Sequence, residues 1–234
     1  MKKKTKLFGI LNVTPDSCYD GGKFFSLEKA VLQALQMEAE GADYIDVGGE
    51  STRPGSKEVP LEEELRRVIP VISELSKSIK IPISIDTKKA TVAAKALDAG
   101  ASFINDVSGL RDVEMQKLVA ASGVSVCVMH MQGNPDSMQQ NPSYPKGVVV
   151  EICSWFRKKV EELELAKINS SQIIFDPGIG FGKTVAQNFE ILENLQELKK
   201  MGFPLFLGIS RKFFMMQTLG KLREELLPAT LAMA

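Results

Sequence analysis

Seven short apolar runs organise this chain, and each ends at a polar residue that is followed by a segment with helical periodicity. The runs and their closing residues are 7–11 with Asn12, 44–45 with Asp46, 83–85 with Asp86, 103–104 with Asn105, 124–129 with His130, 173–175 with Asp176, and 205–209 with Ser210, Arg211 and Lys212. Alternating strand and helix signals predict a parallel sheet, whose strands are buried on both faces and therefore continuously apolar. Polar residues at successive strand ends are typical of the rim of a TIM (β/α)8 barrel, so we predict that α/β fold.

The composition favours a single soluble domain over residues 1–234. Lys plus Arg equals Asp plus Glu, at 29 each, so the net charge gives no general attraction to nucleic acid or to an anionic membrane. The three cysteines are widely spaced and form no zinc-binding pattern, which favours reduced thiols and a cytoplasmic location. We find no signal peptide and no apolar run long enough to span a bilayer.

The apolar spacing predicts helices over 27–40, 61–78, 88–97, 149–166 and 185–200. The polar segment 131–145 is rich in Pro, Asn and Gln and predicts a long loop beside the site. After Pro228 an apolar helix begins and the sequence stops, so we expect the eighth strand of the barrel to be missing from this chain.

The first two loops suggest sites for a metal ion and for an anion. Asn12 offers a side-chain carbonyl oxygen at a strand tip, which is a hard ligand suited to Mg²⁺. Arg53 has the planar fork that binds carboxylate or phosphate, within a glycine-rich loop that allows close backbone approach. The alternatives are an ordinary turn at 20–22 and a solvated loop arginine.

Asp86, Asn105 and Asp176 leave three strands and together match the edge of a flat heterocycle that carries hydrogen-bond donors and acceptors. The rival interpretation is helix capping. The cations of the segment 210–212 suit a phosphate or a polarised heterocycle, although a lysine at a helix start is often only solvated.

The glycine-rich segment 176–184 resembles a P-loop only at its end. Pro177 stands where that motif requires its first glycine, so we reject the nucleotide-binding interpretation and keep a loop that approaches a flat ligand. His130 is the only histidine, and a structural role is favoured for it because no nucleophile or second histidine accompanies it.

Seven segments resemble the dihydropteroate synthase family in their residues, order and spacing. They are 12–17 (Asn-Val-Thr-Pro-Asp-Ser), 46–55, 84–87 (Ser-Ile-Asp-Thr), 104–109 (Ile-Asn-Asp-Val-Ser-Gly), 129–133 (Met-His-Met-Gln-Gly), 176–184 and 210–212 (Ser-Arg-Lys). The resemblance implies a folate-pathway TIM barrel, a target of sulfonamides, that joins 4-aminobenzoate to 6-hydroxymethyl-7,8-dihydropterin diphosphate and releases 7,8-dihydropteroate and diphosphate.

The resemblance also implies roles for individual residues, all of which we state as expectations. The pterin site would comprise Asp86, Asn105, Asp176 and Lys212, with Met129 and Phe181 lining it, and Asp86, Asp176 and Lys212 would be the catalytic residues. Asn12 would help to bind Mg²⁺ and diphosphate. Thr52, Arg53 and Pro54 would border the aminobenzoate, and Ser210 and Arg211 would contact substrate. We expect these groups to converge in one pocket, and a homodimer is usual for the family. Family members carry an Arg-x-His motif on strand eight that this sequence lacks.

Two alternatives stay open at this point. One is a related pterin-binding barrel that transfers a methyl group from a folate to a corrinoid protein. The other is an incomplete barrel that binds pterin without turnover.

Overall fold

The computed structural model describes residues 5–13, 27–51, 58–133 and 138–234. The predicted first loop beyond Val13, the Thr52, Arg53 and Pro54 positions, and part of the loop at 131–145 lie outside the described residues. Among the described residues, no helix is both long enough and apolar enough to cross a membrane.

Strands and helices alternate along the described chain, as the sequence predicts. In order the elements are β1 (Phe8–Asn12), α1 (Leu27–Ala39), β2 (Tyr44–Gly48), α2 (Leu61–Ser78), β3 (Ile83–Asp86), α3 (Ala90–Asp98), β4 (Phe103–Asp106), α4 (Val113–Ser122), β5 (Ser125–Met129), α5 (Val148–Leu165), β6 (Ile173–Asp176), α6 (Val185–Glu193), α7 (Leu195–Lys199), α8 (Phe213–Leu219) and α9 (Leu227–Met233). Short 3₁₀ helices lie at Ser170–Gln172 and Arg223–Leu226. The first six predicted strands and the long helices are therefore confirmed to within a few residues.

The chain divides into two compact units. The first comprises residues 1–52, 56–106 and 110–126, and the second comprises 53–55, 107–109 and 127–234. The prediction of a single domain over 1–234 stays a prediction.

In the first unit, β1 to β4 pair in parallel in chain order. Residues on the face of the sheet that packs against the helices, such as Leu11, Ile45 and Ile85, are fully buried, as expected for a parallel sheet. At the start of the strands, the Phe8 ring stacks on Tyr44 with centroids 4.3 Å apart. This aromatic contact lies at the N-terminal ends of the strands, so the polar residues at their C-terminal ends are the ones left for a site.

In the second unit, an aromatic cluster packs beside β6. Phe156 of α5 stacks on Phe175 with centroids 4.0 Å apart, and Phe203 meets Phe175 edge-on at 4.8 Å. His130 N–H donates to the Asp176 carbonyl oxygen at 2.8 Å, directly after β5 and at the end of β6. The backbone thereby holds His130 beside the last residue of β6.

The seventh predicted strand, 205–209, is wrong as a regular strand. It forms only an isolated parallel bridge between Leu205 and Phe175, with bonds from Phe175 N–H to Pro204 O and from Phe206 N–H to Phe175 O. The next bond of such a ladder would need an N–H at position 177, and Pro177 has none. The run therefore pairs at one point only.

One helix prediction also needs correction. The helix predicted over 185–200 is divided into α6 and α7 at Asn194, whose side-chain amide donates to the Glu190 carbonyl oxygen at 2.8 Å and so competes with the backbone ladder. The alternation of runs and helical segments predicts a helix after the fourth strand without giving its bounds, and the structure places it at α4. It begins at a cap in which the Asp112 carboxylate accepts from Glu114 N–H and ends at Gly123, whose φ is +71°.

Candidate active site

One row of register-matched residues runs across the ends of β1 to β4. Asn12 pairs with Gly48, Gly48 with Asp86, and Asp86 with Asn105. Residues in one register row of parallel strands present their side chains on the same side of the sheet. A Cβ placed on Gly48 would lie 3.5 Å from Asp86 Oδ2 and 3.7 Å from Asn12 Oδ1. The glycine therefore leaves space between two side-chain oxygens, and the sequence analysis had not singled out this role for it.

Asp46 lies two residues before Gly48 on β2 and contacts this row through Asn105. The Asn105 amide donates to Asp46 Oδ2 at 3.0 Å, and Asp46 is buried. Burial raises the pKa of Asp46, and the nearby Ser84 hydroxyl and the hydrogen bond from Asn105 oppose that rise. The sequence analysis recorded Asp46 as the end of a strand but did not place it in the site, because only the fold brings it against Asn105.

Asp86 is the most strongly perturbed carboxyl group of the first unit. Burial, followed by the negative charges of Asp46, Asp106, Glu64 and Glu50, raises its pKa well above the usual range. Its Oδ1 atom is buried and accepts no hydrogen bond from any described residue. An acceptor that is buried without a donor is costly, so this position favours a ligand that brings N–H donors or positive charge.

A partly buried network of ionic groups, which no sequence pattern indicated, lies beside Asp86. Lys89 forms salt bridges with both Glu50 and Glu64, and the Thr87 hydroxyl donates to Glu64 Oε1 at 2.7 Å. Glu64 is fully buried although it belongs to the first turn of α2, where acidic residues ordinarily face solvent. Glu50, Glu64 and Lys89 are far apart in sequence, so no local sequence pattern indicates that they form salt bridges.

Lys88 and Glu50 join the two sides of the second loop. Lys88 Nζ lies 3.2 Å from Glu50 and 3.1 Å from Glu58, and Val59 N–H donates to Glu50 Oε2 at 3.1 Å. The described residues that flank 52–57 are thereby held together by charge. The predicted aminobenzoate residues Thr52, Arg53 and Pro54 lie outside the described residues, so their role stays a prediction.

In the second unit, Asp176 ends β6 and turns its carboxylate back onto the glycine-rich loop. Asp176 Oδ1 accepts from Gly178 N–H at 2.7 Å. Burial raises the pKa of Asp176 to about 6, against the lowering effect of that hydrogen bond and of the cations Lys212 and Lys183. The helix-capping alternative does not apply here, because α6 is capped by Thr184.

Lys212, Phe181 and Met129 also lie in the second unit. Lys212 Nζ stands 4.5 Å from the centroid of the Phe181 ring, a cation–π distance. Phe181 packs against a buried methionine cluster formed by Met129, Met131 and Met138. A ring that contacts both an ammonium group and a methionine cluster suits a flat, polarisable ligand.

Lys183 is a functional candidate that the sequence analysis mentioned only as part of the rejected P-loop. It is 3% exposed, and its ammonium group contacts the carbonyl oxygens of Gly178 and Phe181 at 2.9 Å and 2.8 Å. Burial lowers its pKa to about 7, with the charge of Asp176 opposing that shift. A lysine is rarely buried in this way, and its position in the sequence gave no sign of it.

The remaining predicted residues of this unit are placed as follows. Ser210 and Arg211 are exposed, and Arg211 has a φ of +46° with its N–H donating to Thr230 Oγ1 at 3.0 Å. His130 is buried and meets the Trp155 ring edge-on, with centroids 5.1 Å apart. The structure thus places Asp86 with Asn105 in the first unit, and Asp176, Lys212, Met129 and Phe181 in the second. Convergence of all of them in one pocket stays a prediction.

Asn12 is compatible with the predicted Mg²⁺ ion. No group of three or more His, Cys, Asp or Glu side chains suited to a metal lies among the described residues. Mg²⁺ bound together with a substrate phosphate needs only one or two protein oxygens, because phosphate and water supply the rest. Asn12 is exposed at the end of β1 and its side-chain oxygen lies near Asp86 across Gly48, so this donor fits such an ion.

Comparison with known proteins identifies the family. The model of the family described as "Pterin binding enzyme" matches residues 8–234. The dihydropteroate synthase of Synechocystis sp. is 46% identical over 224 residues, covering 95% of this chain and 76% of the relative. The dihydropteroate synthase of Escherichia coli is 43% identical over 228 residues, covering 97% of this chain and 80% of the relative.

Solved structures agree with the sequence relatives. The Yersinia pestis dihydropteroate synthase, crystallised with a sulfonamide drug complex, superposes with a TM-score of 0.92 at 40% identity and covers 97% of this chain and 82% of its own. The Xanthomonas albilineans enzyme with 4-aminobenzoic acid gives 0.90 at 41% identity, covering 97% of this chain and 81% of its own. The predicted α/β TIM-barrel fold class is confirmed by these neighbours. With matches that extend over almost the whole chain, this protein belongs to the dihydropteroate synthase family of pterin-binding enzymes.

Proposed function

We propose that this chain is a transferase of folate biosynthesis that condenses 6-hydroxymethyl-7,8-dihydropterin diphosphate with 4-aminobenzoate to give 7,8-dihydropteroate and diphosphate. The observation that carries the proposal is the arrangement of Asp86, Asn105 and Asp46 at the strand ends, where Asp86 Oδ1 is a buried acceptor without a described donor. The ring N–H and amino groups of a pterin would supply such donors. Family membership supports the same reaction.

In this proposal Asp86, Asn105, Asp176 and Lys212 bind the pterin, as the family resemblance implies. Met129 and Phe181 provide the apolar lining, because both belong to the methionine-rich cluster. The raised pKa values of Asp86 and Asp176 are typical of carboxyl groups in sites that bind a donor-rich or cationic ligand.

The chemistry requires help mainly at the leaving group, because the aromatic amine of 4-aminobenzoate is a weak nucleophile. The bond between the pterin methylene carbon and oxygen breaks, and diphosphate departs with the electron pair. The amine nitrogen then forms the new C–N bond and loses a proton. Carboxylates such as Asp86 stabilise the positive charge that develops on the pterin as the bond breaks.

Mg²⁺, held by Asn12 together with the diphosphate, would supply charge neutralisation for the leaving group. Thr52, Arg53 and Pro54 would border the aminobenzoate, and Ser210 and Arg211 would contact substrate beside Lys212. We further propose a homodimer in the cytoplasm, for which the family resemblance is the support.

The test is to incubate the purified chain with the pterin diphosphate, 4-aminobenzoate and Mg²⁺ and to follow dihydropteroate by chromatography. We expect product whose formation requires both substrates and is inhibited by a sulfonamide. Binding of pterin without product would favour the non-catalytic pterin-binding alternative. Methyl transfer from a methylated folate to a corrinoid, without dihydropteroate, would favour the other.

A further inference from the structure

Lys183 is a buried cation whose surroundings are almost entirely backbone. Its Nζ atom lies 2.9 Å from Gly178 O, 2.8 Å from Phe181 O, 3.4 Å from His130 O and 3.3 Å from His130 Nδ1. None of these partners is a carboxylate. An ammonium group has three donors and is costly to bury, so a lysine with this set of contacts holds together the segments that supply them.

The segments that Lys183 joins are the glycine-rich loop and the residue that follows β5. Gly178 has a φ of +72°, and a Cβ there would lie only 2.0 Å from His130 O. The loop therefore packs directly against the His130 backbone, at a position where only glycine fits. Gly178 is hydrogen-bonded to the Asp176 carboxylate through its N–H and to the Lys183 ammonium group through its carbonyl oxygen.

Lys183 also controls the position of Phe181. It binds the Phe181 carbonyl oxygen, while the Phe181 ring lies 4.5 Å from Lys212 Nζ. Further bonds hold the same loop: Gly180 N–H donates to Asn188 Oδ1 at 2.6 Å, and Tyr144 donates to Gly182 O at 2.8 Å.

We propose that Lys183 is a positioning residue for the reaction: it orients Asp176 through Gly178 and the Phe181–Lys212 pair through Phe181, and its positive charge favours the ionised form of Asp176. This inference rests on the proposed function. It differs from a purely structural role, because it predicts an electrostatic effect on Asp176 and a selective effect on the pterin.

The charged and titratable groups around Lys183 in the described residues are Asp176, Lys212, His130 and Tyr144. Asp176 attracts the ammonium group, whereas Lys212 repels it. His130 Nδ1 contacts it directly, and Tyr144 packs against the His130 ring with centroids 6.0 Å apart. When the Lys183 charge is removed, Lys212 becomes the remaining cation that opposes the burial of the Asp176 carboxylate.

The experiment compares Lys183→Met and Lys183→Arg with wild type, in the full chain, for steady-state kinetics with both substrates across pH. Lys159→Met is the matched control, because Lys159 is also a buried lysine of the second unit, paired with Glu162 at 2.7 Å on α5. We expect Lys183→Met to raise KM for the pterin diphosphate about tenfold or more, as for loss of a charge-assisted hydrogen bond. KM for 4-aminobenzoate should change much less.

The pH profile separates the electrostatic effect from loss of structure. In the profile of kcat/KM against pH, activity falls on the acid side (the acid limb) with an apparent pKa. Lys183→Met should raise that apparent pKa by about one unit, since an opposite charge lowers a carboxyl pKa by that order. Lys183→Arg should keep the wild-type acid limb, and Lys159→Met should keep both the limb and the pterin KM. Should Lys183→Met not fold, Lys183→Gln carries the same test, because it keeps an N–H donor and removes the charge.

The outcomes distinguish this inference from the proposed function. A wild-type chain that forms no dihydropteroate refutes the proposed function. An active wild type whose folded Lys183 variants keep the pterin KM and the acid limb refutes the positioning role. A fall in kcat equal to that of Lys159→Met, with no selective change in the pterin KM, also refutes it, because it assigns Lys183 to stability alone.

Discussion

The side-chain amide of Asn105 donates a 3.0 Å hydrogen bond to Asp46, although the two residues are 59 positions apart in sequence. Asp46 is buried, and its Oδ1 atom accepts no hydrogen bond from the described residues, so Asn105 is a main compensation for a buried carboxylate. The same Asn105 pairs in register with Asp86. Asn105 therefore holds the Asp46 carboxylate and lies beside the Asp86 carboxylate. It thus connects the stability of the sheet to the geometry of the site.

Replacing Asn105 with Ala should destabilise the protein, because Asp46 loses its donor. We expect the free energy of unfolding to fall by about 1–3 kcal/mol, the cost of leaving a buried acceptor unsatisfied. Chemical denaturation of the variant and wild type measures the difference. Ser102→Ala, at an exposed position just before β4, should change stability by no more than about 0.5 kcal/mol. Equal midpoints for Asn105→Ala and wild type would show that Asp46 does not depend on the Asn105 amide for its stability.

Asp86→Asn should weaken pterin binding while preserving the shape of the side chain. The expected loss is on the order of 1–3 kcal/mol, as for a charged hydrogen bond, and isothermal calorimetry with a pterin measures it. Asp98→Asn provides the control, because Asp98 ends α3 with a side chain that is 74% exposed. An unchanged pterin affinity in Asp86→Asn would remove Asp86 from the site.

Asp176→Asn should alter the pH dependence of stability in a defined window. The pKa of Asp176 rises from 3.8 to about 6 on folding, so between these values the folded state binds more protons than the unfolded state. Stability contributed by this group is therefore present below pH 3.8 and is lost as the pH rises toward about 6. The variant lacks this loss, because its amide does not ionise.

At pH 7 we expect Asp176→Asn to be more stable than wild type by on the order of 2–3 kcal/mol, and the difference should vanish below about pH 4. Denaturation series at several pH values measure it. Glu164→Gln, an exposed position on α5, should show no such window. A variant that is less stable than wild type at pH 7 would mean that the charge of Asp176 contributes more through Lys183 and Lys212 than burial costs.

Lys89→Met should be strongly destabilising, because it leaves the buried carboxylate of Glu64 without its cation. Breaking a buried ion pair from one side typically costs about 3–5 kcal/mol. Lys95→Met, within the helix α3 that begins just after Lys89 and with a side chain that is 61% exposed, should cost less than about 1 kcal/mol. Adding Glu64→Gln to Lys89→Met should recover part of the loss, and strictly additive losses in that double-mutant cycle would contradict the proposed coupling.

The alternation of apolar runs and helical segments was sufficient to predict the order of elements and the strand ends that carry Asn12, Asp86, Asn105 and Asp176. These features depend on local periodicity and on where a polar residue interrupts an apolar run. The predictions failed where a single local group changed the outcome. Asn194 divides a helix with its own side chain, and Pro177 lacks the N–H that would extend the pairing of 205–209.

Three contacts became visible only once the chain was folded: Asn105 donates to Asp46, Lys89 pairs with the buried Glu64, and Lys183 lies buried against four polar groups. Each of these depends on residues that are distant in sequence or on burial, which the pattern around one residue does not encode. Burial then decides the chemistry, because removing water from a charged group changes its pKa and its need for partners. Local apolar and polar patterning places particular residue types at the strand ends, whereas the packing of distant segments removes water from some of them and supplies the groups that compensate them.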